Sequence, residues 1–164
     1  TLQACVLMGA ERIVVADVIE RRLEKALQLG AWHVINGRKE DTVDRSRALF
    51  GGDGADIVFE TAGSRVTAMQ SFASVRRGGE VMIVGTIPGE TPVDFLKINR
   101  EVKVQTVFRY ANNFPMTIQA ISSGRFDVLT MVTDEYTYED VQKAFEESLS
   151  RKAEIIKGVI KISD

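Results

Sequence analysis

The chain is poor in the side chains that usually carry chemistry. It has one cysteine, Cys5, and one histidine, His33, in 164 residues. A single cysteine excludes an internal disulfide and fits a reducing compartment, so a cytoplasmic location is expected. Cys5 stands in an apolar helical stretch and His33 in a short strand, where both read as packing residues. No spacing of His, Cys, Asp or Glu suits a metal. There is no Ser and His arrangement for nucleophilic catalysis and no Walker-type loop. No residue is therefore assigned a catalytic or metal-ligating role. Neither sign of charge dominates: the formal net charge is -2, which implies no basic face and makes nucleic acid an unexpected partner. No apolar run reaches membrane-spanning length and no signal peptide is visible, so no membrane association is expected.

What is present is ordinary for a folded domain. The chain is 45% hydrophobic and 27% charged, and its length suffices for one domain with a sizeable core. Strand and helix signals alternate. A helical stretch from Thr1 to Met8 turns at Gly9, and an apolar run from Arg12 to Ala16 ends at Asp17. The next helix places Leu23, Ala26, Leu27 and Gly30 on one face, with Gly30 suited to end it. A short strand, His33 to Ile35, precedes a polar helix over roughly Asp41 to Phe50, stopped by Gly51 and Gly52.

Ala55 to Phe59 reads as a strand ending at Glu60 and Thr61. Val66, Met69 and Phe72 or Ala73 give the following helix its buried face, up to Gly78 and Gly79. Val81 to Val84 then runs into Gly85. A less regular connection, Gly89 to Arg100, leads to a strand over Val102 to Phe108. Pro115 suits the first turn of a helix that buries Ile118 and Ile121 and stops at Gly124. Thr137 and Asp140 suggest a capping box for a helix burying Val141, Ala144, Phe145 and Leu149. The tail, Gly158 to Ile162, alternates like a last strand. Short apolar runs between amphipathic helices imply a parallel sheet covered on both faces.

The absence that matters most concerns Asp17. An acid ending a buried strand is how the second strand of a dinucleotide-binding βαβ unit ends, with the carboxylate on the adenosine ribose. The first strand and its G-x-G-x-x-G turn should stand just before Thr1, and the chain does not contain them. The expectation is a fragment cut after the phosphate-binding loop. Asp17 would accept from both ribose hydroxyls and disfavour NADP, since two like charges about 4 Å apart cost roughly 4 kcal/mol at an effective dielectric near 20. The alternative is that Asp17 caps the following helix. Arg21 and Arg22 could instead bind a phosphate. Arg21 reads better as part of a solvated face with Glu20 and Glu24, whereas Arg22 could reach over the adenosine.

Thr61-Ala-Gly63 and Val84-Gly85-Thr86 fall at carboxyl ends of strands, where an open α/β sheet holds its ligand. Glycine permits close approach of a cofactor there, though turns need it equally. Phe108, Arg109, Tyr110 and Asn112 follow a buried strand. They form either an aromatic surface loop or a wall for cofactor and substrate, with Arg109 donating to oxygen atoms and Tyr110 lining a polar pocket.

The ordered series Val15-Ala-Asp17, Leu29-Gly-Ala31, Gly54 to Glu60, Thr61-Ala-Gly63, Arg77-Gly-Gly79 and Val84-Gly85 resembles the cofactor-binding domain of the medium-chain dehydrogenase/reductase superfamily. The run Val-Phe-Arg-Tyr-Ala-Asn at 107 to 112 is similar to the signature of its polyol branch, the sorbitol and xylitol dehydrogenases. The resemblance implies a Rossmann-type, doubly wound α/β parallel sheet lacking its first strand and glycine-rich turn, with residues 1–164 as one NAD-binding domain. It implies an NAD-dependent, zinc-containing enzyme that oxidises a secondary alcohol of a polyol to a ketose. Asp17 and Arg22 would hold the adenosine ribose. Val84, Gly85 and Thr86 would line the nicotinamide side. Val107, Phe108 and Arg109 would contact the cofactor, and Arg109 with Tyr110 the substrate.

Zinc would polarise the alcohol oxygen from ligands in a separate, preceding domain. The piece alone is expected to be inactive, and its strands at 12 to 16 and at 81 to 84 or 56 to 60 to show unpaired edges unless a partner completes the sheet. The strand at 102 to 108 would pair subunits in a homo-oligomer. Threonine or butanediol dehydrogenases and zinc-free quinone reductases share the superfamily. A Rossmann-like methyltransferase and a nucleotide-sensing module are the competing classes.

Overall fold

The structure is a computed structural model. It describes residues 1–98 and 100–163, without the side chain of residue 97. The chain forms two compact units, one of residues 35–111 and one of residues 2–34 with 112–164.

The first unit is built on a three-stranded parallel sheet. Its elements are α3 (Thr42–Leu49), β3 (Ala55–Glu60), α4 (Arg65–Ser74), β4 (Val75–Ile83), α5 (Phe95–Ile98) and β5 (Lys103–Thr106). The strand order is β3-β4-β5. Asp41 caps α3 by accepting from Asp44 N at 2.8 Å, so the helix begins one residue later than the sequence suggests. Gly51 and Gly52 follow with φ of +76° and +95°, which explains why glycine stands there.

Two features of this unit correct the sequence reading. The helix α4 buries Ala68, Ser71 and Ser74, whereas Val66 and Met69 are exposed. Periodicity located an apolar stripe, but the face that packs carries the small residues Ala68, Ser71 and Ser74. A side chain on Gly79 would meet Asp56 O at 2.7 Å, and one on Gly54 would meet the main chain of Val75 at 2.9 Å. At these two β3–β4 positions no side chain fits. The helix also ends at Ser74 rather than at Gly78, and Val75 already starts β4. The two glycines instead lie where the β3–β4 register shifts, from Ala55 opposite Val75 to Ile57 opposite Glu80. The core of the sheet is Val75 and Val81.

Among the described residues β3 has a neighbour on one side only, and its Ile57 and Phe59 are exposed. β5 is the other edge and is exposed along its length, so the expected buried strand before Phe108 is an open one. It also stops at Thr106, although Val107 N still donates to Ile83 O at 2.8 Å. The connection from 89 to 100 holds the short α5; residue 99 within it lies outside the described residues.

The second unit contains α1 (Leu2–Leu7), β1 (Val14–Asp17), α2 (Glu20–Gln28), the start of β2 (His33–Asn36), α6 (Phe114–Ser122), a 3-10 turn at Leu129–Met131, β6 (Asp134–Thr137), α7 (Val141–Ser150) and β7 (Gly158–Lys161). β1 pairs with β2, and β6 runs parallel to β7. The strand β6 escaped the sequence reading, because Asp-Glu-Tyr-Thr carries no apolar run. Leu23 and Ala26 of α2 are buried as expected; Leu27 is half exposed.

The expected buried faces of the last two helices are open. Ile118 and Ile121 of α6 are exposed, as are Val141, Phe145 and Leu149 of α7, where only Ala144 is buried. Nor is there a capping box. Asp140 holds the cap position, but its carboxylate accepts from Thr137 Oγ1 at 3.2 Å instead of from the helix. Arg151 secures this region, with Nη1 2.8 Å from Glu147 and 3.1 Å from Asp134, and Nε 2.9 Å from Glu154. Tyr136 donates to Glu147 at 2.9 Å. That bond and Arg151 hold the Glu147 carboxyl below its ordinary range, while partial burial and the same bond raise the Tyr136 phenol.

Candidate functional site

In the second unit, Asp17 is the last residue of β1. Its Oδ1 accepts from Val18 N at 2.7 Å and from Ile19 N at 3.0 Å. The helix cap itself is Ile19, which makes no side-chain capping bond. Asp17 therefore orders the approach to α2 without capping it, and only one oxygen is used. The other, Oδ2, lies 3.7 Å from Arg22 Nη1, and the Asp17 side chain is 26% exposed. Arg22 Nη2 donates to Lys152 O at 3.2 Å. The guanidinium is thus held beside the carboxylate rather than left free. Arg21 points to a shallow polar depression of about 340 Å³ shared with Glu24, Lys25 and Thr130, as a solvated face requires.

In the first unit, the parallel register sets two segments side by side. Ile83 stands opposite Thr106, so Val84-Gly85-Thr86 and Val107-Phe108-Arg109-Tyr110 leave the sheet together at its carboxyl end. Val84 and Val107 are partly exposed, and Phe108 and Tyr110 are 84% and 68% exposed. Arg109 adopts φ +56°, and its guanidinium carbon sits 5.0 Å from the centre of the Phe108 ring. Such a stack orients the guanidinium while leaving its N–H donors free to bind oxygen.

The sequence reading missed Glu60. It ends β3 and is 2% exposed. Its Oε1 accepts from Ala62 N at 3.0 Å, Gly63 N at 2.9 Å and Thr67 Oγ1 at 2.6 Å. Its backbone carbonyl accepts from Val84 N and Gly85 N at 2.9 and 3.0 Å. The signal was an acid closing an apolar strand, which also marked Asp17, here followed three residues later by Gly63. Among the described residues no group of three His, Cys, Asp or Glu side chains could hold a metal ion.

Residues 1–123 match the family model described as zinc-binding dehydrogenase. An uncharacterized zinc-type alcohol dehydrogenase-like protein of Escherichia coli K12 is 64% identical over the whole chain, which covers 47% of that protein. Sorbitol dehydrogenase of Bacillus subtilis is 38% identical over 93% of the chain and 44% of its own length. A crystal structure of an oxidoreductase/dehydrogenase of unknown specificity from Escherichia coli superposes with a TM-score of 0.95 at 64% identity, over 99% of this chain and 47% of that one. The chain thus spans less than half the length of these relatives. The α/β, Rossmann-type reading holds, and the chain belongs to the zinc-binding dehydrogenase family.

Proposed function

We propose that this chain is the NAD-binding portion of a zinc-dependent polyol dehydrogenase that oxidises a secondary alcohol to a ketose by hydride transfer. The observation that carries the reading is the pairing of Val84-Gly85-Thr86 with Val107-Phe108-Arg109-Tyr110 at one sheet end, because it joins glycine-permitted backbone to a fixed cation and aromatic faces. Val84, Gly85 and Thr86 form the nicotinamide side. Val107, Phe108 and Arg109 contact the cofactor, and Arg109 with Tyr110 holds substrate oxygen atoms. Asp17 accepts from the ribose through Oδ2, with Arg22 beside it, and selects NAD over NADP by repelling a 2'-phosphate. The named relative from Bacillus subtilis, a sorbitol dehydrogenase, supports the polyol branch.

The reading places the zinc ligands in a separate, preceding domain and leaves the residues here to bind and orient. The exposed edge strand β5 suits pairing of two copies in a homo-oligomer. The single cysteine suits the cytoplasm.

The test uses the full-length protein with NAD or NADP and a panel of sorbitol, xylitol, 2,3-butanediol and threonine. Reduction of NAD with a polyol is expected. Turnover confined to threonine or butanediol would move the protein to another branch of the family. Preference for NADP would overturn the role of Asp17.

A further inference from the structure

Glu60 is an expensive residue to bury. A carboxylate away from water needs compensating donors. Its Oε1 has three: Ala62 N, Gly63 N and the Thr67 hydroxyl. The donor chain is ordered, because Ser64 Oγ caps α4 by accepting from Thr67 N at 3.1 Å and lies 2.7 Å from Thr67 Oγ1. Its Oε2 is buried without a hydrogen-bond partner.

The surroundings explain what the residue joins. The side chain fixes the turn after β3, and the carbonyl of the same residue holds Val84 and Gly85 in the turn after β4. The two turns also touch directly. A Cβ on Gly85 would overlap Glu60 Oε2 and Gly63 N, and one on Gly63 would meet Thr86 O at 2.8 Å. Glu60, Gly63 and Gly85 therefore lock two backbone segments at a single spacing.

We propose that Glu60 is a positioning residue for the nicotinamide end of the cofactor, setting the place of Val84-Gly85-Thr86 through the turn at residues 61–63. The inference rests on the reading that Val84, Gly85 and Thr86 line the nicotinamide side. A binding wall must hold its geometry to a fraction of an ångström, and the bonds to Glu60 supply that restraint.

The experiment titrates NADH into the full-length protein and follows its fluorescence. Glu60→Ala weakens NADH binding about tenfold, and Glu60→Gln, which keeps an acceptor oxygen for the three donors, restores it to within about threefold. Val75→Ala, a core substitution in the same unit, lowers the melting temperature but leaves NADH affinity unchanged. Should Glu60→Ala fail to fold, Thr67→Val removes one donor and weakens binding about threefold. Wild-type affinity in Glu60→Ala, or in Thr67→Val if that variant must serve, overturns the proposal. So does equal loss in Glu60→Ala and Val75→Ala, which would mean a merely structural role. Thr86→Trp separates the two readings. If it weakens NADH while Glu60→Ala does not, only the role of Glu60 falls. If Thr86→Trp leaves affinity intact, the nicotinamide assignment falls and this inference with it.

Discussion

Two strands of this protein end in an acid, and the two acids have different surroundings. Asp17 closes β1 and Glu60 closes β3. Each uses one carboxylate oxygen to gather backbone N–H groups just ahead: Val18 and Ile19 for Asp17, Ala62 and Gly63 for Glu60. The second oxygen separates them. That of Asp17 is beside Arg22 in a partly exposed side chain, so a ligand hydroxyl could reach it. That of Glu60 is buried without a partner. One local motif thus yields a group available for binding and a group that holds the scaffold. Burial, which the local sequence does not encode, decides which is which.

The comparison can be broken most severely at Gly85. Gly85→Ala forces a methyl into Glu60 Oε2 and the backbone of Gly63, and should destabilise by about 3 kcal/mol, read by thermal or denaturant unfolding. Glu60→Ala leaves three donors without their acceptor and should cost about 2 kcal/mol in the same measurement. Asp17→Ala sharpens the contrast. Water can serve the freed N–H groups of Val18 and Ile19, so the stability loss stays below about 1 kcal/mol. NADH affinity, by contrast, drops about tenfold and NADPH is no longer rejected. An Asp17→Ala protein that unfolds easily yet binds NADH normally would reverse the two roles.

The smallest effect is expected away from both acids. Glu147 has a folded-state pKa below its ordinary value, held down by Tyr136 and then Arg151. Its contribution is present above the unfolded-state value and is lost as pH falls through the folded one. The melting temperature should decline more gently in acid for Glu147→Gln than for the parent. Tyr136, raised above its ordinary value of 10.0, contributes below that pH and loses its contribution as the solution becomes more alkaline.

Much of this was legible in the chain. The order of strands and helices, the stop at Gly51 and Gly52, the proline in the first turn of α6 and the strand-end position of Asp17 follow from local chemistry, and the structure has them. The misread helix faces share one cause. Hydrophobic spacing reports that a helix has an apolar face and says nothing of what covers it. Hence Phe145 and Leu149 of α7 stand exposed, and α4 packs through Ala68, Ser71 and Ser74 instead of Val66 and Met69. The polar strand β6 had no hydrophobic signal to read. In the site, segments 84–86 and 107–110 were each legible as strand ends. Their adjacency came from the β4–β5 register, and the importance of Glu60 from burial.

The interlocked backbones at Gly63 and Gly85 also bear on engineering. A saturation library across residues 60–63 and 84–86 would nominally sample seven positions. Two would return hydrogen in place of a side chain under any selection that requires a folded product, because their neighbours already occupy the space. On the proposed assignment, cofactor preference is the business of Thr86, Val107 and Asp17, whose side chains are exposed or partly exposed.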